Sequence, residues 1–318
     1  MPLANKVDPL LVPPYPYFGG KTRAAHLIWQ ALGAVGNYVE PFFGGGAALL
    51  FRPTKPHIET VGDLDGMIAN FWRAVKYEPE LVAQHADWPV NQVDLTARHH
   101  WLNGQRAELE PKLKRDPDYY DAKIAGWWVW GICTWYGQGW CNGRWHDKKP
   151  QLGSAGSGIH KRRGVEDRLA WLTAWFAAFK KRMREVRVCC GDWRATITDS
   201  VTVVNGITGI LLDPPYSAES DRDENVYARD DLKIAHDVRA WAIANGNDRR
   251  KRIVLCGLDG EHDAVGPTWR KVRWHTEGGF AKRSRDPSSR GTINAHRETL
   301  WLSPGCLPVE GEVPISPR

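Results

Sequence analysis

The chain has 318 residues, 42% of them hydrophobic and 25% charged, with a formal net charge of +6 and a pI near 9.0. This is the composition of a soluble globular protein, long enough for one large domain or a core domain with an insertion. No apolar run reaches bilayer length and the first residues do not read as a signal peptide, so membrane classes are set aside and a cytoplasmic protein is expected, its basic balance suiting a polyanionic partner.

Residues 1–14 are proline-rich and read as a loose arm. Tyr17, Gly19, Gly20 and Lys21 follow, then a predicted helix over residues 22–32 with Ala25, Leu27, Ile28 and Leu32 on its apolar face. The paired glycines let backbone approach a ligand closely. Lys21 falls in the helix's first turn, where a cation opposes the dipole. It therefore either meets an anion such as a carboxylate or is an exposed lysine with a solvated head.

Tyr38 and Val39 are strand-like and lead through Glu40, Pro41, Phe42 and Phe43 into Gly44, Gly45 and Gly46, with a helix predicted from Ala47. Strand, glycine turn, helix is a nucleotide-cradling arrangement. The spacing is neither G-x-G-x-x-G nor a P-loop, and Glu40 suits a cationic group better than a pyrophosphate. A second strand is predicted over residues 58–61, ended by Gly62, Asp63, Leu64 and Asp65 before a helix over 67–76. An acid there can hold ribose hydroxyls or cap the helix. Asp63, nearer the strand, is the first choice for the ribose.

Residues 79–165 break the α/β rhythm. Residues 126–136 are densely aromatic, and residues 137–164 are glycine-rich and basic, with Arg144, His146, Lys148, Lys149, His160, Lys161, Arg162 and Arg163. The tryptophans are mostly expected in a core, whereas the basic loop is expected to meet nucleic-acid phosphates. A helix over 166–184 carries Leu169, Leu172, Phe176, Phe179 and Met183 on one face. A strand over 186–190 then ends at Gly191, Asp192 and Trp193, where the acid and ring can hold an adenine or Asp192 can be a plain cap.

The run at 209–212 reads as a buried parallel strand stopped by Asp213, Pro214, Pro215 and Tyr216. Asp213 can accept a hydrogen bond from an exocyclic amine. The two prolines leave carbonyls free of competing N–H groups, and Tyr216 offers a ring for base stacking. An ordinary turn is the other reading. Residues 217–230 are polar and 278–294 are Arg/Ser/Gly-rich, the latter a second candidate DNA-facing loop. A helix over 231–245 and strands over 252–256 and 298–302 complete a sheet. The six cysteines form no C-x-x-C pair and His146 is not at zinc-finger spacing, so free thiols and no metal are expected.

Tyr17 to Lys21, Glu40 to Gly46 and Asp213 to Tyr216, in that order, resemble the Dam-type DNA adenine-N6 methyltransferases of the alpha arrangement over residues 15–77 and 186–302. The resemblance implies an α/β fold: a Rossmann-like S-adenosylmethionine-dependent methyltransferase sheet (1–78 and 186–318) with an inserted, mostly helical target-recognition subdomain (79–185). It implies that Tyr17, Gly19, Gly20, Lys21, Glu40, Phe42, Gly44, Gly46, Asp63, Asp192, Trp193 and Asp213 line the S-adenosylmethionine site. Asp213, Pro214, Pro215 and Tyr216 would be catalytic; the insert matches the family in position only, and it is on its basic composition that Arg144, Lys148, Lys149, Lys161, Arg162 and Arg163 are expected to meet double-stranded DNA. The family more often has Asp-Ile-Asn where this chain has Asp63-Leu64-Asp65, which leaves the ribose ligand open between the two aspartates. The expected activity is methylation of a flipped adenine, in a bacterial or phage-infected cell and with restriction–modification among the expected roles. No metal is needed, and a monomer is one possible state. Competing readings are cytosine-N4 methylation, where Ser more often opens the tetrapeptide; a non-catalytic DNA-binding protein with the same fold; and an RNA or protein-amide methyltransferase, the last usually with Asn first.

Overall fold

The computed structural model describes residues 8–17, 19–54, 58–135, 139–143, 158–161, 167–216, 233–274 and 297–315. Arg144, Lys148, Lys149, Arg162 and Arg163 of the expected basic loop, and the stretches 217–230 and 278–294, lie outside these residues.

The strands are β1 (Asn37–Glu40), β2 (Ile58–Asp63), β3 (Val186–Cys190), β4 (Thr208–Leu212), β5 (Lys251–Leu258), β6 (Arg270–Arg273), β7 (Glu298–Leu302) and β8 (Val313–Pro314). They form one mixed α/β sheet in the order β3-β2-β1-β4-β5-β7-β6-β8. The first five strands are parallel. β7 runs antiparallel between β5 and β6, and β8 pairs antiparallel with β6. The chain winds outward one way through β1, β2 and β3 and the other way through β4 and β5. The winding therefore reverses between β1 and β4, and such a sheet has its crevice outside the carboxyl ends at that reversal. Glu40 is the last residue of β1 and Asp213 follows the last residue of β4, so both stand there.

Side chains alternate between faces with a period of two. Tyr38, Leu211, Val254, Cys256, Leu300 and Leu302 join one buried cluster; their neighbours Val39, Ile210, Leu212, Ile253, Leu255 and Trp301 join the other. Helix α1 (Ala25–Leu32) packs on β4 and β5 from the first side. The short α2 (Ala47–Leu50) follows the glycine turn, and α3 (Gly66–Tyr77) follows β2. Between β2 and β3 come also α4 (Pro79–Ala86), α5 (Gln92–Arg115), α6 (Ala122–Ile132) and α7 (Arg168–Met183). Of these, α5, α6 and α7 pack on α3, and α4 packs on α6 and α7. Their buried residues belong to the same cluster as that face of the sheet. Asp65, Asn91, Asp121 and Asp167 cap α3, α5, α6 and α7 through their side chains, satisfying amide groups that a helix start leaves free. The short α8 (Asp199–Thr202) precedes β4, and α9 (Ile234–Asn245) packs on β5.

Several expectations need correction. The first helix begins at Ala25, so Lys21 lies in the turn before it. Its buried face includes Trp29, while Leu27 is only half-buried. On α7 the exposed residue is Leu169, and Trp175 takes its place in the core. The N-terminal arm is anchored at its end, since Pro14 and Tyr15 are buried and Cys133 Sγ donates to the Pro14 carbonyl. Strands β6 and β8 were not expected.

The amino ends of the central strands are closed by ion pairing. Glu59, buried at the start of β2, accepts from Arg182 at 2.6 and 2.7 Å and from Arg52 at 3.3 Å. The two guanidinium groups also donate to the Leu49 and Val35 carbonyls. Glu59→Ala would strand the buried Arg52 without its counter-charge. Urea titration is expected to show a loss of about 3–5 kcal/mol, and a loss below 1 kcal/mol would mean that the network carries no net stability.

Candidate active site

The glycine turn is built by backbone that other residues resist. Gly44 and Gly46 have φ of 47° and 70°, in the left-handed region that glycine enters freely. A Cβ on Gly44 would lie 2.6 Å from Cδ1 of Tyr17, so the expected aromatic lies directly on the turn. The Gly44 carbonyl accepts from Tyr15 Oη at 2.8 Å and Trp72 Nε1 at 3.1 Å, and its N–H donates to Asp63 Oδ2 at 2.9 Å. The other Asp63 oxygen accepts from the Asp65 N–H at 2.9 Å. Asp63 is thus the brace that ties the turn to β2. Asp65 caps α3 and pairs with Arg106 at 2.9 Å. A ribose would share either carboxylate with these partners. Burial pushes the Asp63 carboxyl up to about 7, the nearby Asp65 adding to the rise and the Gly44 N–H working against it.

Lys21 is the centre of the second group. It is 4% exposed and pairs with Asp213 at 2.8 Å, donates to the Gly19 carbonyl at 2.5 Å and lies 3.4 Å from Tyr216 Oη. Its partner is therefore a carboxylate, and the exposed-lysine reading does not hold. The ammonium also sits 5.8 Å from the ring centres of Tyr216 and Trp274. Gly19 has φ of 68°, and a Cβ there would face Lys21 Nζ. Tyr216 Oη donates to Glu298 Oε2 at 2.5 Å, and Glu40, 4% exposed, accepts from Tyr38 Oη at 2.9 Å.

Burial raises the carboxyls of Asp213, Glu40 and Glu298, with Lys21 partly offsetting it in each case. Burial also works against the Lys21 charge, but Asp213, Cys256 and Glu298 outweigh it and hold the ammonium above its usual range. The cluster therefore gathers three acids around one ammonium.

The end of β3 is different. Asp192 is exposed, caps the turn Trp193–Thr196 through the Arg194 N–H at 2.8 Å and pairs with Arg194 at 3.2 Å. Trp193 is buried on the opposite sheet face, 6.1 Å from the ring of Phe42. Its Nε1 has no hydrogen-bond partner among the described residues. A cleft of about 600 Å³ lies along α5, lined by Asn103, Arg106, Glu110, Lys114, Asn142 and Gly143 among others. From it Arg106 reaches Asp65, and Lys114 approaches Gly191 at the end of β3.

Direct contacts thus join Tyr17 to Gly44 to Asp63, and Gly19 to Lys21 to Asp213 and Tyr216. Pro214 is buried and Pro215 half-buried between the last two. Gly20 donates to the Tyr17 carbonyl at 3.2 Å, closing the turn. Phe42 and Trp193 form a separate pair, and Lys161 is exposed elsewhere. Sequence reasoning missed Glu298, Cys256, Trp274 and Arg106. The available signal for Glu298 was an acid opening an otherwise apolar strand. Among the described residues no group of His, Cys, Asp or Glu could hold a metal, the six cysteines are free thiols, and no helix is long and apolar enough to cross a membrane.

A raised carboxyl favours the fold in acid, and that contribution is lost as pH rises through the folded value. Between pH 5 and pH 8 the stability of the parent protein relative to Asp63→Asn is therefore expected to fall, as read by urea titration at each pH. A gap that widens over this range would contradict the assignment. No family model matches the chain, and no curated protein matches it.

Proposed function

We propose that this chain is an S-adenosylmethionine-dependent methyltransferase acting on adenine N6 in duplex DNA. The observation that carries the reading is the Lys21–Asp213–Tyr216 group beside Glu40 at the carboxyl ends of β1 and β4. The donor chemistry fits S-adenosylmethionine. Lys21 is a counter-charge for a carboxylate, and three acids with one ammonium leave room for a cationic guest. The cleft beside Asp65 and Gly191 is of the size that takes a nucleoside.

When bound, S-adenosylmethionine supplies an electrophilic sulfonium methyl. The residues do the rest. The adenine amine is a poor nucleophile because its lone pair is delocalised into the ring. Asp213, accepting one N–H, and the Pro214 carbonyl, accepting the other, favour a more tetrahedral nitrogen. Tyr216 presents a ring for the base, whose extrusion from the duplex costs a few kcal/mol. Positioning of this kind is worth about 7–11 kcal/mol at its best. The basic loop at 144–163 supplies phosphate contacts in this reading, and neutralising Lys148, Lys149, Arg162 and Arg163 together is expected to flatten the salt dependence of DNA binding.

The test is methyl transfer from radiolabelled S-adenosylmethionine to phage DNA free of modified bases, followed by mass analysis of the nucleosides. N6-methyladenine is expected; N4-methylcytosine would shift the substrate to cytosine, and no product would refute the activity. Asp213→Ala is expected to lower turnover about a hundredfold or more while S-adenosylmethionine still binds. A cation entering among raised carboxyls displaces protons, so its affinity should increase with pH. Calorimetry is expected to show this for S-adenosylmethionine and much less for S-adenosylhomocysteine, which lacks the sulfonium charge. Equal slopes for the two would count against the carboxylates as the cation's partners.

A further inference from the structure

Stacking uses only the face of a tyrosine ring, yet the hydroxyl of Tyr216 is committed. It donates to Glu298 Oε2 at 2.5 Å and lies 3.4 Å from Lys21 Nζ. Glu298 is the first residue of β7, which is hydrogen-bonded to β5 on one side and β6 on the other. Its position is therefore set by the sheet and not by a loop. It is 7% exposed, and a carboxylate so buried is unfavourable unless something donates to it. Tyr216 is that donor. The ring itself stands just beyond two prolines at the end of β4.

We propose that Glu298 is a positioning residue: it holds the Tyr216 ring at a fixed angle to the Asp213 carboxylate, so that a base stacked on the ring presents its amine to Asp213. The proposal rests on the methyltransferase reading above. Lys21 makes the arrangement one unit, because the same ammonium touches Asp213 at 2.8 Å and the Tyr216 hydroxyl at 3.4 Å. Glu298 itself touches no substrate. It acts through the tyrosine, so removing either partner of the Tyr216–Glu298 bond should remove the same thing.

Two measurements on the full chain test this. In the first, kcat and KM on unmodified phage DNA are compared for Glu298→Leu, Glu298→Gln, Tyr216→Phe and the Tyr216→Phe/Glu298→Leu double variant. Glu298→Leu and Tyr216→Phe are each expected to lower kcat about tenfold with little change in KM for S-adenosylmethionine. The double variant should be no worse than either single one, because the two substitutions break one interaction. Glu298→Gln keeps an oxygen that accepts the tyrosine proton and should recover most of the loss. Losses that add in the double variant, or Glu298→Leu with parental kcat, would overturn the proposal.

The second measurement does not need turnover. In protein labelled with 3-fluorotyrosine, the fluorine line absent from Tyr216→Phe belongs to Tyr216. It should move towards the solvent-exposed position in Glu298→Leu and move little in Glu298→Gln. A line that stays put in both variants overturns the tether whatever the activity. A line that moves as expected in a protein that transfers no methyl group supports the tether and removes only the activity assigned above. Should Glu298→Leu fail to fold, Tyr216→Phe and Glu298→Gln still decide the matter: Tyr216→Phe must lose about tenfold in kcat and Glu298→Gln must not.

Discussion

A buried ammonium and a half-buried carboxylate side by side hold the carboxyl edge of the sheet together. Lys21 and Asp213 lie 192 positions apart in the chain and 2.8 Å apart in the fold. Removing one member of such a pair leaves an uncompensated charge, which costs about 3–5 kcal/mol. The glycine turn before α1 has no helical or strand pattern of its own to fix it, so this pair and the Gly19 carbonyl under the same ammonium do so. The left-handed backbone of Gly19 follows, because its carbonyl must turn inward to meet Lys21. The position of Tyr216 follows as well.

The second glycine turn is held in a different way. Its backbone donor goes to Asp63 and its carbonyl to Tyr15 and Trp72, with Tyr17 covering the open side. Tyr17 and Gly19 come from one segment, so that segment braces both turns at once. This is why two glycine-containing stretches some 25 positions apart in the chain end at the same edge of the sheet.

Much of this was legible. The parallel strands read correctly because each holds a short cluster of β-branched, aromatic or other apolar residues, and β3 and β7 fall on the expected residues. Acids at strand ends mark the carboxyl edge, so Glu40 and Asp213 could be placed from position alone. The odd siting of Lys21 pointed to a carboxylate but not to which one. Which of Asp63 and Asp65 caps α3 needed three dimensions, since both lie just before the helix and only Asp65 has the backbone geometry. Helix α5 was hidden by its polar surface and by Pro111 within it, although Leu95, Leu102, Leu109 and Leu113 repeat at helical spacing and are all buried. Strand β6, Arg-Lys-Val-Arg, reads as a charged loop; its cations are neutralised by Glu312, Asp259 and Asp263 from elsewhere. Of the two readings open for Asp192, the cap is the one whose contacts are seen, and Trp193 beside it is buried in a core.

The two ends of the central strands are finished to opposite standards. At the amino end Arg52, Arg182 and Lys251 find Glu59, Asn245 and backbone oxygens. At the opposite end the acids outnumber the cation that serves them. Both ends therefore contribute ion pairs to the fold, but only the carboxyl end keeps negative charge in excess of its counter-charge.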